Sequence, residues 1–257
     1  MQLVVRRLAA AGSVALVTVA LTACASGPEH PAVSPLAQIS VEQGLTEAPN
    51  GIDELAPAEV LQRSLTAMRA TGSYRVSGTT VGGNTIDIAF KDGVGSVGTV
   101  GSDTTVQLVA TPGAVYVTGD PESLATYVGA DVDTTLAGKW LLISPEAASS
   151  FAIFADGSAF AAAVLGADDP DSLTAVREVD GQPAVGLLFP QTGGTLWVAA
   201  TGEPLPLRLE EKGASAGAGV ITFSDYGTEV AVTPPAEDAV VDLTKIPVPS
   251  ATPTPTS

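Results

Sequence analysis

Alternating apolar and polar residues over most of the chain predict an α+β fold. A strongly curved antiparallel sheet, a half-barrel of about ten strands, is covered by an N-terminal helix and a central helical insert. Three observations lead there. Period-two runs recur on both sides of the middle of the sequence, separated by turn residues; one segment ahead of them has helical spacing; and an Ala- and Phe-rich block interrupts them. Links this short favour antiparallel neighbours, because a parallel return needs a crossover of a dozen residues or more. About ten strands exceed the ~4–6 usual for a sheet, so this one must curl.

The chain opens with Arg6-Arg7 and an apolar run from Leu8 to Leu21, ending in Leu21-Thr22-Ala23-Cys24. A basic start, an apolar stretch and small residues before a cut are the parts of a secretory signal. The run holds fourteen residues, short of the ~20 a spanning helix needs. Leu21-Thr22-Ala23-Cys24 resembles the bacterial lipoprotein signal, which implies cleavage before Cys24 and diacylglycerol on its thiol. An ordinary signal peptide with a chance cysteine is the alternative reading. Residues 1–23 are thus expected to be a signal peptide, and 24–56 a lipidated cysteine followed by a flexible tether with Gly27, Pro28, Pro31, Pro35, Pro49 and Gly51.

A single folded domain is expected over 57–243. A helix begins at Pro57, whose missing N–H costs nothing there, and Val60, Leu61, Leu65 and Met68 make its apolar stripe up to Gly72. Strands come next: Tyr74 and Val76; Ile86, Ile88 and Phe90; Val94 to Val100; Val106, Leu108 and Ala110; Val115 and Val117. Gly82-Gly83-Asn84, Asp92-Gly93, Gly101-Ser102-Asp103 and Pro112-Gly113 turn the chain between them. The period then changes. Pro121–Gly129, Asp131–Leu136, Pro145–Phe154 and Ser158–Leu165 read as short helices, with Lys139–Ile143 a strand or extended link. Strands resume at Leu173–Val179, Ala184–Phe189, Leu196–Ala200, Leu205–Leu209, Val220–Tyr226 and Val230–Val232, until Pro234-Pro235 stops them. The Pro- and Thr-rich end, 244–257, reads as a disordered tail.

Four segments of the second half carry a family resemblance: Val179-Asp180-Gly181, Leu196-Trp197-Val198, Gly202-Glu203-Pro204-Leu205-Pro206-Leu207-Arg208 and Ile221-Thr222-Phe223-Ser224-Asp225-Tyr226-Gly227. Together with Gly72-Ser73-Tyr74-Arg75-Val76-Ser77-Gly78 and the lipoprotein signal, they resemble the actinobacterial LppX/LprG lipoprotein family. The resemblance implies a half-barrel similar to the carriers LolA and LolB, with an apolar cavity between sheet and helices and a lipid or glycolipid as ligand. The long Thr/Pro tail and modest aromatic content depart from that pattern.

Charge excludes one class of partner. The chain carries −17, and loss of residues 1–23 removes Arg6 and Arg7 but no acid, giving −19; such a surface repels nucleic acid. Cys24 is the only cysteine, so no intramolecular disulfide forms. Gly213-Ala214-Ser215-Ala216-Gly217 spells a nucleophile elbow but lies between strands, and the only histidine, His30, falls in the tether. Gly93-Val94-Gly95-Ser96-Val97-Gly98 spells a dinucleotide fingerprint but leads into a strand, not a helix. Asp131, Asp133 and Asp168-Asp169-Pro170-Asp171 read as turn acids rather than calcium ligands. No catalytic residue, metal or cofactor is expected.

The inward-facing Ile86, Ile88, Phe90, Val106, Leu108, Leu187, Phe189, Leu196 and Val198 are either plain core or the lining of a pocket for acyl chains. The expected function is therefore that of a non-enzymatic lipoprotein on the outer face of the cell membrane, held by diacylglyceryl-Cys24 and binding or carrying an amphiphile. The alternative is a structural or signalling module with a closed core that binds protein partners.

Overall fold

Two antiparallel meanders share one sheet because their ends meet: β1 (Ser73–Thr79) pairs with β12 (Ala218–Ser224), placing Val76 opposite Phe223. The structure is a computed structural model that describes residues 47–128, 136–143, 151–212 and 218–245, all within the unit Leu45–Ser257. The signal peptide, Cys24, most of the tether and most of the tail lie outside the described residues. So do all but Leu136 of the expected helix Asp131–Leu136, residues 144–150 and residues 213–217.

The first meander continues from β1 through β2 (Thr85–Lys91), β3 (Gly95–Gly101), β4 (Thr105–Thr111) and β5 (Ala114–Thr118). The second is β9 (Gln182–Phe189), β10 (Gly194–Ala199), β11 (Pro206–Lys212) and β12. Short strands extend both ends: β6 (Trp140–Leu142), β7 (Ser172–Leu173), β8 (Arg177–Val179) and β13 (Val240–Asp242). The order is β13-β6-β5-β4-β3-β2-β1-β12-β11-β10-β9-β7, with β8 also on β9, so the sheet curves without closing.

The described residues form thirteen strands, about ten as expected plus short two- and three-residue pieces at the ends. Leu173–Val179 divides into β7 and β8, because Thr174 Oγ1 takes the Gly186 N–H at 2.9 Å where the ladder would continue. Val230–Val232 is not a strand. The last strand is β13, and it runs parallel to β6.

Helix α1 (Pro57–Ala70) starts on Pro57, carries Glu59 in its first turn and Arg69 in its last, and so matches its own dipole at both ends. Thr71 Oγ1 donates to Met68 O at 2.7 Å and satisfies one terminal carbonyl. Val60, Leu61, Leu65 and Met68 are buried on the inner face of the sheet. Helix α2 (Pro121–Val128) is capped by Asp120, whose carboxylate accepts from Ser123 N at 2.9 Å. Helix α3 (Gly157–Leu165) comes after a 3₁₀ turn at Ala152–Ala155 and is capped by Asp156, which accepts from Ala159 N. The middle block thus supplies the helical cover.

Opposite faces of the strands have opposite fates. Val76, Ile88, Phe90, Leu108, Val117, Val185, Leu187 and Val198 all point inward and are fully buried in one cluster. Each such aliphatic group contributes about 1.5–3 kcal/mol by leaving water. Arg75 and Asp87, facing outward, pair in bidentate fashion at 2.6 Å.

Curvature requires glycine at two close approaches. At Gly98, opposite Ile88, a side chain would run into Asp87 O and stand 2.7 Å from Ile88 Cα. At Gly78, with φ 141°, it would run into Val220 O. Backbone occupies the space a Cβ needs, so the strands coil there. Gly98→Val is expected to lower unfolding free energy by about 2–3 kcal/mol in urea titration; an unchanged midpoint would contradict this origin of the bend.

Tyr74 and Tyr226 make a second prediction. Burial, then the charges of Asp156 and Asp92, raise the Tyr74 phenol above its ordinary value; burial and then Tyr74 do the same to Tyr226. Both remain protonated in the fold, so their contribution is intact below the ordinary tyrosine pKa of ~10 and fades above it as the unfolded chain ionises. In a spectroscopic titration, these two of the four tyrosines should ionise only as the protein unfolds. Ionisation of all four in the folded state would refute it.

Candidate functional site

The nine residues read as core or pocket lining, Ile86, Ile88, Phe90, Val106, Leu108, Leu187, Phe189, Leu196 and Val198, all sit in the central cluster, none more than 8 % exposed. Strands β2, β4, β9 and β10 bring them to one face, and the helical cover packs on them. Tyr74 stacks on Phe90 with ring centroids 4.9 Å apart, and Phe90 meets Phe160 of α3, also at 4.9 Å. The line continues to Phe154 at 5.8 Å and Phe151 at 6.5 Å.

Two hydrogen bonds, the first buried and the second part-buried, fix the cover to the sheet. Tyr74 OH donates to Gly157 O at 2.6 Å, and Ser96 Oγ donates to Phe154 O at 2.7 Å. The cover is therefore apolar in its contacts and polar in its alignment.

At the margin of this packing is a cleft of about 510 Å³. Its walls are Thr111, Gly113, Ala114 and Val115 from the β4–β5 turn, Leu142 and Ile143 from β6, Ala152 and Ala155 from the 3₁₀ turn, and Thr244. Ile143 N–H donates to Val115 O at 3.1 Å and holds two walls together. Val115 and Ile143 also belong to the core, so the cleft borders the inner apolar cluster. Among the described residues, no charged side chain lines it. Such a lining suits the burial of hydrocarbon.

The sequence did not mark this cleft. Its lining is mostly small and has no period, since the site is made where four chain segments meet. The other singled-out residues have structural places. Asp168 Oδ2 accepts from Gln191 N at 2.9 Å and Thr192 N at 3.2 Å, tying down the β9–β10 turn. Trp197 is buried on the outer face beneath the Arg177 guanidinium, 3.8 Å from its ring centroid, and Trp140 lies half-buried in β6. Gly93 turns the chain at φ 66° into β3, so the glycine-rich run there is a hairpin. Among the described residues, no three His, Cys, Asp or Glu come together as metal ligands, and no helix is long and apolar enough to cross a membrane.

No protein-family model matches the chain, and no curated protein matches it. Among solved structures it is similar to two mycobacterial lipoproteins. LprF from Mycobacterium bovis is 17 % identical with a TM-score of 0.47, the match covering 70 % of this chain and 97 % of that one. The Mycobacterium tuberculosis lipoprotein LppX is 14 % identical with a TM-score of 0.43, over 69 % and 98 %. Both belong to the LppX/LprG family, the group that the sequence motifs resemble.

Ser96→Ala leaves Phe154 O without its donor and should cost about 1 kcal/mol. Hydrogen exchange at 152–155 is expected to accelerate while β3 and β4 stay protected; uniform protection across both would show that this bond does not align the cover.

Proposed function

We propose that this chain is a non-enzymatic lipoprotein of the outer face of the cell membrane, anchored through diacylglyceryl-Cys24, that binds the hydrocarbon part of a lipid or glycolipid. The observation that supports it is the uncharged cleft between the β4–β5 turn and the 3₁₀ turn, bordered by the core residues Val115 and Ile143. Its volume of about 510 Å³ falls within the ~300–1,000 Å³ typical of ligand sites. An acyl chain entering there meets Val115 and Ile143 first. Displacement of the 3₁₀ turn would bring it to Val106, Leu108, Phe90, Ile88 and Ile86, and further travel to Leu187, Phe189, Leu196 and Val198. Exchange of protein methyls for lipid methylenes keeps apolar surface out of water throughout.

Anchoring rests on acyl-chain burial alone. At about 0.8 kcal/mol per buried methylene, one acyl chain holds a protein only reversibly and two hold it persistently. Cys24→Ser is expected to release the protein from the membrane fraction into the medium, whereas continued membrane retention would disprove the anchor.

Ligand binding has its own test. Native mass spectrometry of protein extracted in mild detergent should show a lipid adduct, and Ala114→Trp combined with Ala155→Trp should reduce it at least about tenfold, the equivalent of ~1.4 kcal/mol. If adduct is absent from the wild type, or unaffected by filling the cleft, the site is wrong; absence altogether would favour a closed-core module that binds protein.

A further inference from the structure

A second cleft, of about 480 Å³, lies at the strand ends where β10 leaves the sheet and β11 enters it. Its floor is Leu205, Leu207 and Phe223, and its rim carries Glu47, Glu203 and Asp225. Among the described residues, no Lys or Arg lines it. Among the described residues Glu47 and Glu203 have no ion-pair or side-chain hydrogen-bond partner. Asp225 faces Arg75 only at 4.0 Å, a guanidinium already committed to Asp87. Three carboxylates around an apolar floor thus stand with almost no cation to balance them.

One wall of this cleft is a strap. Pro49 bridges to Thr201, Asn50 N–H donates to Ala200 O at 3.0 Å, and the Asn50 amide donates to Ala199 O at 3.0 Å and Gly202 O at 3.1 Å. These bonds place Glu47 against Gly202, where even a Cβ would collide with its carboxylate. The backbone pairing of Pro49 and Asn50 thus brings the exposed Glu47 to the rim.

We propose that this acid-rimmed cleft is a docking site for an extended, basic segment of a protein partner. Lysine and arginine have the required shape, with an aliphatic stem that covers apolar surface and a cationic head that reaches outward. Here the stems lie on Leu205, Leu207 and Phe223 while the heads reach Glu47, Glu203 and Asp225. The site is distinct from the uncharged cleft, whose walls come from β4, β5, β6 and the 3₁₀ turn.

Charge alone does not define such a site, since the whole protein is acidic and attracts any cation at long range. The probe is a short peptide alternating lysine and leucine, titrated calorimetrically into the folded protein at low and high salt. Glu47→Gln with Glu203→Gln is expected to weaken binding about tenfold or more. Asp169→Asn with Asp171→Asn, which removes as much charge from exposed positions elsewhere, should change it less than about twofold. Asn50→Ala, which removes no charge, should weaken binding by loosening the strap. Equal losses in both charge-removing pairs would reduce the effect to net charge and overturn the proposal, as would an absence of wild-type binding at low salt. Intact binding in Asn50→Ala would overturn the part assigned to the strap.

Discussion

The contact between Phe90 and Phe160 joins the two parts of this structure. Phe90 lies at the middle of the inner face of the sheet and Phe160 on α3, and their rings come within 4.9 Å. Tyr74 extends the stack on the sheet side and Phe154 on the cover side. A bent sheet has an inner face too wide for one helix, and α1 covers only the part near β9 and β11. The aromatic line places the 3₁₀ turn and α3 over the remainder. With few charges inside, the protein draws its stability from this surface, and has no disulfide to supplement it.

Bending comes from small residues as much as from large ones. Gly98 and Gly78 let neighbouring backbones come where a methyl group would not fit. The same glycine-rich run spells a nucleotide-binding motif in one dimension. In three dimensions it is the place where β2, β3 and β4 coil, and its neighbour Ser96 uses the resulting concavity to reach Phe154 O. The element on the C-terminal side of such a run decides its meaning: after Gly95 comes a strand, so no helix N-terminus is present to hold a phosphate.

Alternation made both meanders legible, because a strand with one buried face must repeat every two residues. Ile86, Ile88 and Phe90 against Asp87 and Lys91 gave β2 with its correct inward face, and the helical stripe of α1 was equally plain. Of the short strands, those within Lys139–Ile143 and Leu173–Val179 were legible and β13 was not. β13 is defined by a parallel pairing with β6, a distant segment of the chain, and nothing in Val240-Val241-Asp242 specifies that partner. Val230 to Val232 has the better local pattern yet finds no sheet edge. The uncharged cleft was illegible for a related reason: Gly113, Ala114, Ala152 and Ala155 line it by having little side chain, and small residues carry no periodic signal. The large residues proposed as lining announce themselves in sequence by the bulk that fills the core.

That bulk sets the energetics of any ligand uptake. An acyl chain that displaces the 3₁₀ turn exchanges one apolar contact for another, and aromatic geometry adds only about 0.5–1.5 kcal/mol per pair beyond area. The directional cost falls on the Ser96–Phe154 and Tyr74–Gly157 hydrogen bonds, at about 1 kcal/mol each when a polar partner replaces the one lost. The first bond aligns the 3₁₀ turn, while Asp156 caps α3 and Tyr74 holds Gly157 at its start. The two bonds therefore fix separate parts of the cover, and the uncharged cleft lies beside the part that Ser96 aligns.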